Sequence, residues 1–312
     1  MQYPEDCYPL ILIVGPTAVG KSKIAINLAE RLEGEIISAD SRLFYRGMDI
    51  GTAKPTLVEQ RIVPHHLIDV TNPDEIWSLA LFQKKAHRVI SDIHSRHHLP
   101  FLVGGTGQFI RTVTEGWQPP IQPPDFKLRN TLERWAEEIG PTALYQRMAQ
   151  IDPQAAEKID PHNLRRTIRA LEVIFTTGEK FSSQRTSQDS PYRLLQIGLI
   201  RPRAELYARI DERVDEMLAC GFLDEVRRLV SQGYSTDLPS LSAIGYRELI
   251  DYLKGKTTFA EAVVLIKRRT HEYVRRQANW FKPDDPDIHW YLANPSVDKE
   301  IETLIRDWIK TL

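Results

Sequence analysis

The sequence predicts an α/β protein built on a parallel sheet, and three observations carry that reading. Through the first third of the chain, short apolar runs that read as buried strands alternate with segments of helical periodicity. The first of these runs leads directly into a glycine-rich loop and then a helix. Further on, a long helical stretch holds no convincing strand, and a strand-like run returns after it. Parallel strands alternating with helices place functional groups at the C-terminal ends of the strands.

Taken in order, Pro9 to Val14 is the first apolar run. Lys21 to Leu32 follows, with Ile24, Ile26, Leu28, Ala29 and Leu32 mostly at helical spacing. "EIISAD" reads as a second strand ending at Asp40, and "HHLIDV" as a short third. Ser78 to Ile93 is helical in pattern, and "LPFLVGG" reads as a strand ending in Gly104 and Gly105. The texture changes after Gly116, where the proline-rich "WQPPIQPPDF" marks a boundary. Lys127 to Phe175 is helical, with stops near Gly140, Pro153 and Pro161. "TGEKFSSQRTSQDSP" is a polar loop, and "RLLQIGLI" is strand-like. The helical piece either begins a C-terminal domain or is inserted into the first domain. The returning strand favours insertion, with re-entry at about Pro191. The remainder reads as helical: Ala204 to Ala219, Leu223 to Ser231, Ile244 to Leu253, and Phe259 to about Trp280.

A chain of 312 residues exceeds what one hydrophobic core usually serves, so two folding units are expected. A formal net charge of -1 argues against indiscriminate coating of nucleic acid and leaves room for a local basic groove. The two cysteines, Cys7 and Cys220, are far apart and form no CxxC pair, which disfavours a cysteine zinc site and fits a reducing compartment. The start of the chain has Glu5 and Asp6 and no Lys or Arg before the apolar run, a poor targeting signal. No apolar run reaches membrane-spanning length, so a cytoplasmic protein without a membrane partner is expected.

"GPTAVGKS", Gly15 to Ser22, matches the phosphate-loop pattern G-x-x-x-x-G-K-[ST] in full. Glycines let backbone N–H groups turn onto phosphate oxygens, and the following helix points its positive end at them. Lys21 supplies a mobile charge, and Ser22 a hydroxyl suited to Mg²⁺. The pattern does not say whose phosphate is held. Thr17 either donates to a substrate oxygen or is a hydroxyl tolerated in a tight loop.

Asp40 stands where α/β enzymes place active-site groups. A carboxylate there serves as a proton acceptor, as a Mg²⁺ partner through water, or only as a turn cap. "SRLFYRGMDIGTAKP" after it is polar and glycine-rich, a loop over the site. Asp69 is a second, weaker candidate for Mg²⁺. "VGGTGQF" permits close backbone approach at a strand end, with Thr106 as its directed hydrogen-bonding side chain. Arg209 and Arg213, one turn apart among acidic residues, are either surface ion pairs or a clamp on a leaving diphosphate. "KRRTHEYVRR", Lys267 to Arg276, puts Arg268, His271 or Glu272, and Arg275 near one helix face, with Tyr273, Trp280 and Phe281 as nearby flat surfaces. This is either an RNA footprint or a solvated face. "NLRRTIRALEV" adds Arg165, Arg166 and Arg169. A small-molecule phosphotransferase using ATP fits the first half of the chain, and an RNA-binding module with a relic loop is a further reading.

Taken together, "GPTAVGKS", "SADSRLFYRGMDIGTAKP", "PHHLIDV", "VGGTGQF", "NLRRTIRALEV", "DERVDEML" with "GFLDEV", "SAIGYRE" and "RRTHEYVRRQANWF" occur in an order that resembles the tRNA dimethylallyltransferases, or isopentenyltransferases, of bacterial type. The resemblance runs through most of the chain, and the second block is far more specific than the phosphate loop. It implies transfer of a dimethylallyl group from its diphosphate to N6 of adenine 37, in tRNAs reading codons that begin with U. It implies an α/β core of the P-loop-containing nucleoside triphosphate hydrolase kind, an ATP-binding type of loop here given over to the allyl diphosphate. It also implies an inserted all-helical domain gripping the anticodon stem-loop, so that residues 1–120 and 192–312 form the core and 121–191 the insertion. A monomer with Mg²⁺ is the expected working form.

The same resemblance implies roles for individual residues. Asp40 corresponds to the general base. Gly15, Thr17, Ala18, Val19, Gly20, Lys21 and Ser22 surround the diphosphate, with Ser22 on Mg²⁺ and Arg213 approaching the leaving group. Thr106 lines the channel where base and donor meet. The tRNA side is expected at Asp40, Ser41, Arg42, Leu43, Thr106, Gly107, Gln108, Arg165, Arg166, Arg268 and Arg275. The chain departs from the family pattern at Leu43 and Phe44, where Gln and Val are usual, at Gln108 and Phe109 for Leu-Tyr, and at Ala278 for Thr.

Overall fold

A computed structural model describes residues 8–117, 119, 124–183 and 190–312. Cys7, Glu5 and Asp6, most of the proline-rich boundary and most of the polar loop before Pro191 lie outside the described residues. The chain divides into two compact units. One comprises Met1–Trp77, Gln83–Thr114 and Pro191–Leu312, and the other Ser78–Phe82 and Glu115–Ser190.

The larger unit begins with β1 (Pro9–Val14), α1 (Lys21–Arg31), β2 (Gly34–Ser38), α2 (Leu57–Ile62), β3 (His65–His66), α3 (Leu79–Ser95), β4 (Leu99–Gly104) and α4 (Gly107–Thr114). The first residues of α3 group with the smaller unit. Next come α5 (Phe126–Ile139), α6 (Pro141–Ile151), α7 (Pro153–Ala156) and α8 (Leu164–Thr177), all in the smaller unit. The larger unit resumes with β5 (Arg193–Ile200), α9 (Arg203–Ala219), α10 (Phe222–Ser231), α11 (Tyr246–Leu253), α12 (Phe259–Gln277), β6 (Ile288–Leu292) and α13 (Val297–Ile309).

The strands form one six-stranded sheet in the order β3-β2-β4-β1-β5-β6. Every pairing is parallel. β1 and β4 are buried along their whole lengths, which is why they read as continuous apolar runs and not as alternating ones. Ile24, Ala25, Leu28 and Ala29 of α1 pack into the same core as Ile11, Ile13, Phe101 and Ile197. Each fully buried Leu or Ile there contributes roughly 1.5–3 kcal/mol. A second core, around Phe222, Val226, Leu229, Tyr246 and Leu249, joins α10 and α11 to Tyr45 and Met48 of the loop after β2.

The smaller unit has its own core, which includes Leu132, Ala136, Leu144, Met148, Ile168 and Leu171. Its helices start where the sequence offers caps: Asp125 for α5, Pro141 at the first turn of α6, Asp152 for α7 and Asn163 for α8. Buried Glu172 accepts from the backbone of Asp125 at 2.7 Å and from Arg129 and Arg169 at 2.9 and 2.7 Å. Burial alone would raise its carboxyl above the ordinary range, and these bonds bring it below.

Three elements depart from the sequence reading. β6 is a strand in a region read as helical. It is a half-exposed edge strand, buried chiefly at Ile288, and has no long apolar run to announce it. β3 shrinks to two residues. β2 closes at Ser38, so Asp40 stands two residues beyond the strand.

Glu35 in β2 is fully buried. It bonds Arg96 and lies 2.6 Å from ring nitrogens of both His66 and His98. Burial would raise its pKa, but the bonds from Arg96, His66 and His98 outweigh it and hold the carboxyl at about 2. A depressed carboxyl stabilises the fold above its unfolded pKa, near 4.5, and loses that contribution as pH falls toward 2. Glu35→Ala should therefore cost roughly 3 kcal/mol at pH 7 and clearly less at pH 3. Denaturant unfolding at both pH values checks this, and an equal loss at both would contradict it.

Candidate active site

The glycine loop leaves β1 at Val14 and enters α1 at Lys21. Gly15, Ala18 and Gly20 all have positive φ, at 141°, 61° and 115°. A Cβ on Gly15 would lie 2.5 Å from the Leu199 carbonyl oxygen of β5, so a side chain has no room there. Cationic side chains hold the loop's carbonyls. Lys21 Nζ donates to the oxygens of Gly15 and Pro16 at 3.0 and 2.7 Å. Arg209 Nε donates to Ala18 O at 3.1 Å, and Arg201 Nε to Val19 O at 3.0 Å. With its carbonyls engaged, the loop keeps N–H groups for an anion. Gly20 gives α1 no side-chain cap, and no acidic residue stands in the first turn.

The charges around the loop favour the same occupant. Burial pushes the Lys21 ammonium down to about 8, with Asp40 favouring its charge and Arg213 opposing it. Burial also lowers the Arg213 guanidinium, which Asp40 supports and Arg209 opposes. Lys21 and Arg213 thus share the field of Asp40, Arg213 also feels Glu216 and Arg209, and a polyanion relieves the repulsion among the cations.

Asp40 is half-buried, and its Oδ1 accepts the N–H of Arg42 at 2.9 Å. Across from it stands Tyr273 of α12, whose phenol is raised by burial and by the charge of Asp40. Hydrogen bonds to Thr106 and Gln277 act the other way. Gln277, at the end of α12, accepts from Thr17 N at 2.9 Å and donates to Gly105 O at 3.0 Å. The ends of β2 and β4 approach so closely that a Cβ on Gly104 would lie 2.7 Å from Ala39 O. A cavity of about 290 Å³ opens beside the loop, lined among others by Gly15, Pro16, Tyr207, Val274, Gln277 and Phe281.

The loop after Asp40 is fastened from below. Buried Glu225 accepts the N–H groups of Asp49, Ile50 and Gly51 at 2.9, 2.8 and 3.1 Å, and the Tyr246 hydroxyl at 2.6 Å. The Lys54 ammonium donates to Tyr45 O, Asp49 and Asp69 at 2.9, 2.6 and 2.5 Å. Asp69, a candidate for Mg²⁺ on sequence, is thereby committed to an ion pair. Among the described residues no group of three or more His, Cys, Asp and Glu is arranged to hold a metal.

The sequence-predicted residues fall into two sets. Gly15 to Ser22, Asp40 to Leu43, Thr106 to Gln108, Arg213, Arg268 and Arg275 belong to the larger unit, whereas Arg165 and Arg166 are exposed on α8 of the smaller one. Arg42 is turned to the carbonyls of Pro239 and Ser240. Ser41 and Leu43 are half-buried, and Gln108 is exposed. The basic run on α12 is only partly free. Lys267 pairs with Asp215 at 2.7 Å, Arg269 bonds buried Glu248, and His271 stacks on Tyr207 with centroids 4.1 Å apart. Arg268 and Arg275 stay exposed. The proposed flat surfaces are otherwise employed. Tyr273 is at the site, Phe281 is buried, and Trp280 packs on Gly107 with Arg111 over its ring at 5.6 Å.

Sequence reasoning missed Gln277 and the placement of Tyr273. Their spacing of four on one helix was the available signal, and the surrounding positive charges drew attention away from it.

The family model described as IPP transferase matches residues 43–284. The tRNA dimethylallyltransferase of Roseiflexus sp. (strain RS-1) is 52% identical over 302 residues, covering 96% of this chain and 99% of that protein. The crystal structure of the full-length tRNA isopentenylpyrophosphate transferase from Bacillus halodurans is 43% identical, covers 97% of each chain and superposes with a TM-score of 0.73. A eukaryotic dimethylallyltransferase acting on tRNA, 28% identical, gives 0.77 over 96% of this chain and 77% of that one.

Glu225 makes one prediction at this site. Glu225→Ala leaves three N–H groups and the buried Tyr246 hydroxyl without their acceptor, which should cost about 3 kcal/mol and speed amide exchange at Asp49 to Gly51 more than tenfold. Hydrogen exchange by mass spectrometry reads this, and unchanged protection there would contradict it.

Proposed function

The chain belongs to the IPP transferase family, as a bacterial-type tRNA dimethylallyltransferase, and from that premise we propose how its own residues carry the reaction. It transfers a dimethylallyl group from dimethylallyl diphosphate to adenine 37 of tRNA. The finer reading is attack by N6 in tRNAs whose codons begin with U, on a core of the P-loop nucleoside triphosphate hydrolase kind. The loop between β1 and α1 and the all-parallel sheet support that core.

One observation carries the assignment: Lys21, Arg213 and Asp40 converge on a loop whose carbonyls are engaged by cations. The loop N–H groups, Lys21 and Arg213 hold the donor's diphosphate. Asp40 orients the adenine amine and accepts its proton. As N6 bonds to the allylic carbon, the carbon–oxygen bond breaks and its electron pair leaves with the diphosphate. Lys21 and Arg213 stabilise that growing charge more than they stabilise the bound donor, which is the requirement for faster chemistry. Thr106 and Tyr273 line the acceptor side. Adenine must leave its stack to reach them.

A Mg²⁺ ion fits this site on its donor chemistry. Ser22 presents an exposed hydroxyl at the first turn of α1, a single oxygen donor suited to an ion that would take most of its ligands from phosphate and water. When bound, the ion neutralises charge on the leaving diphosphate. Arg165, Arg166, Arg268 and Arg275 are exposed and available to RNA phosphates. No described helix is long and apolar enough to cross a membrane, and we assign the enzyme to the cytoplasm as a monomer.

Asp40→Ala should abolish prenyl transfer while tRNA affinity falls less than about fivefold. Lys21→Ala should weaken donor binding and slow the chemical step by about 100-fold or more. Single-turnover assays on unmodified tRNA, with nucleosides weighed by mass spectrometry, test both. Undiminished turnover in Asp40→Ala would remove the general base, and an unaltered rate and donor affinity in Lys21→Ala would refute the donor loop.

A further inference from the structure

We propose that Gln277 is a positioning residue for prenyl transfer, a single amide that locks the diphosphate loop to the glycine corner bearing Thr106. The inference rests on the reading of Gly15 to Ser22 as the donor site.

The last backbone partners between β1 and β4 are Val14 and Gly104. Beyond that pair the two chains part, one into the phosphate loop and the other toward Thr106. Gln277 supplies the next lateral link. Its Oε1 accepts from Thr17 N at 2.9 Å and its Nε2 donates to Gly105 O at 3.0 Å. These partners lie 260 and 172 positions away in the chain. The residue is only 5% exposed, so both bonds are largely shielded from water. One bond needs an acceptor and the other a donor, which fixes the amide's orientation and excludes an apolar substitute.

Two further features fit this role. A Cβ on Gly105 would lie 2.2 Å from Gln277 Nε2, so the glycine makes room for the amide. Tyr273, one helical turn earlier, lies in the field of Asp40, and Thr106 and Gln277 oppose the raising of its phenol by burial. One side chain of α12 therefore ties the loop after β1 to the corner after β4, with Tyr273 and the charge of Asp40 beside it. Donor and acceptor must meet at about 3–3.5 Å, and a displacement of about 1 Å costs on the order of 100-fold in rate. Losing the link should thus harm the chemical step and spare ground-state binding.

The test is a split between rate and affinity. In Gln277→Met, the single-turnover rate with saturating tRNA and dimethylallyl diphosphate should fall about 100-fold. The Kd values for inorganic pyrophosphate and for unmodified tRNA should each stay within about threefold of the parent. A second arm approaches the link from its other end. Gly105→Ala should slow the reaction similarly, because its Cβ would lie 2.2 Å from Gln277 Nε2 and 3.0 Å from Gly15 O and would push the corner off the loop. An unchanged rate in Gln277→Met or in Gly105→Ala, or a pyrophosphate affinity that falls in step with the rate, would each overturn the proposal. Those results leave the donor-loop reading standing, because that reading is tested separately by the rate and donor affinity of Lys21→Ala.

Discussion

The site depends on which way one stretch of backbone faces. A peptide unit presents a donor on one side and an acceptor on the other, so a loop can offer N–H groups to an anion only if its carbonyls are satisfied elsewhere. Here cations do that work. Lys21 takes the oxygens of Gly15 and Pro16, Arg209 that of Ala18, and Arg201 that of Val19. β5 and α9 must lie where they do to bring Arg201 and Arg209 to the loop. The return of the chain to the sheet after the smaller unit is therefore part of building the site.

Charge is distributed with the same economy. Buried carboxylates at Glu35, Glu172, Glu225 and Glu248 are each answered by guanidinium, imidazole, phenol or backbone donors. They fasten strands, helices and the loop after Asp40. Asp40 differs from all four. It accepts the Arg42 N–H and faces Lys21 and Arg213 through the field, with no ion pair closing on it among the described residues. A carboxylate so placed is oriented and still able to take a proton.

Much of this was legible in the sequence, for physical reasons that also explain the rest. β1 and β4 announce themselves because central parallel strands are buried on both faces and read as unbroken apolar runs. The phosphate loop is legible because its glycines, Lys21 and Ser22 are local in sequence. The helices of the smaller unit carry their caps and prolines with them. β6 escaped because an edge strand needs little apolar surface. Gln277 escaped because its role is wholly non-local, a pair of bonds to two distant loops. On sequence, Tyr273, Trp280 and Phe281 are flat surfaces beside a charged run that is either an RNA footprint or a solvated face. The fold instead uses them at the site, against Gly107 and in the interior. Charge runs indicate where a helix is wet, and the structure decides which residues on it face inward.

On the proposed function, the loop holds the diphosphate of an allyl donor and not the phosphates of a nucleotide. The most direct measurement mixes the protein and Mg²⁺ with unmodified tRNA carrying adenine at position 37, adds either dimethylallyl diphosphate or ATP, and weighs the digested nucleosides. One five-carbon prenyl unit on adenosine, with the allyl donor alone, is the expected result. Unmodified adenosine, together with phosphate transferred from ATP to an acceptor, would contradict it.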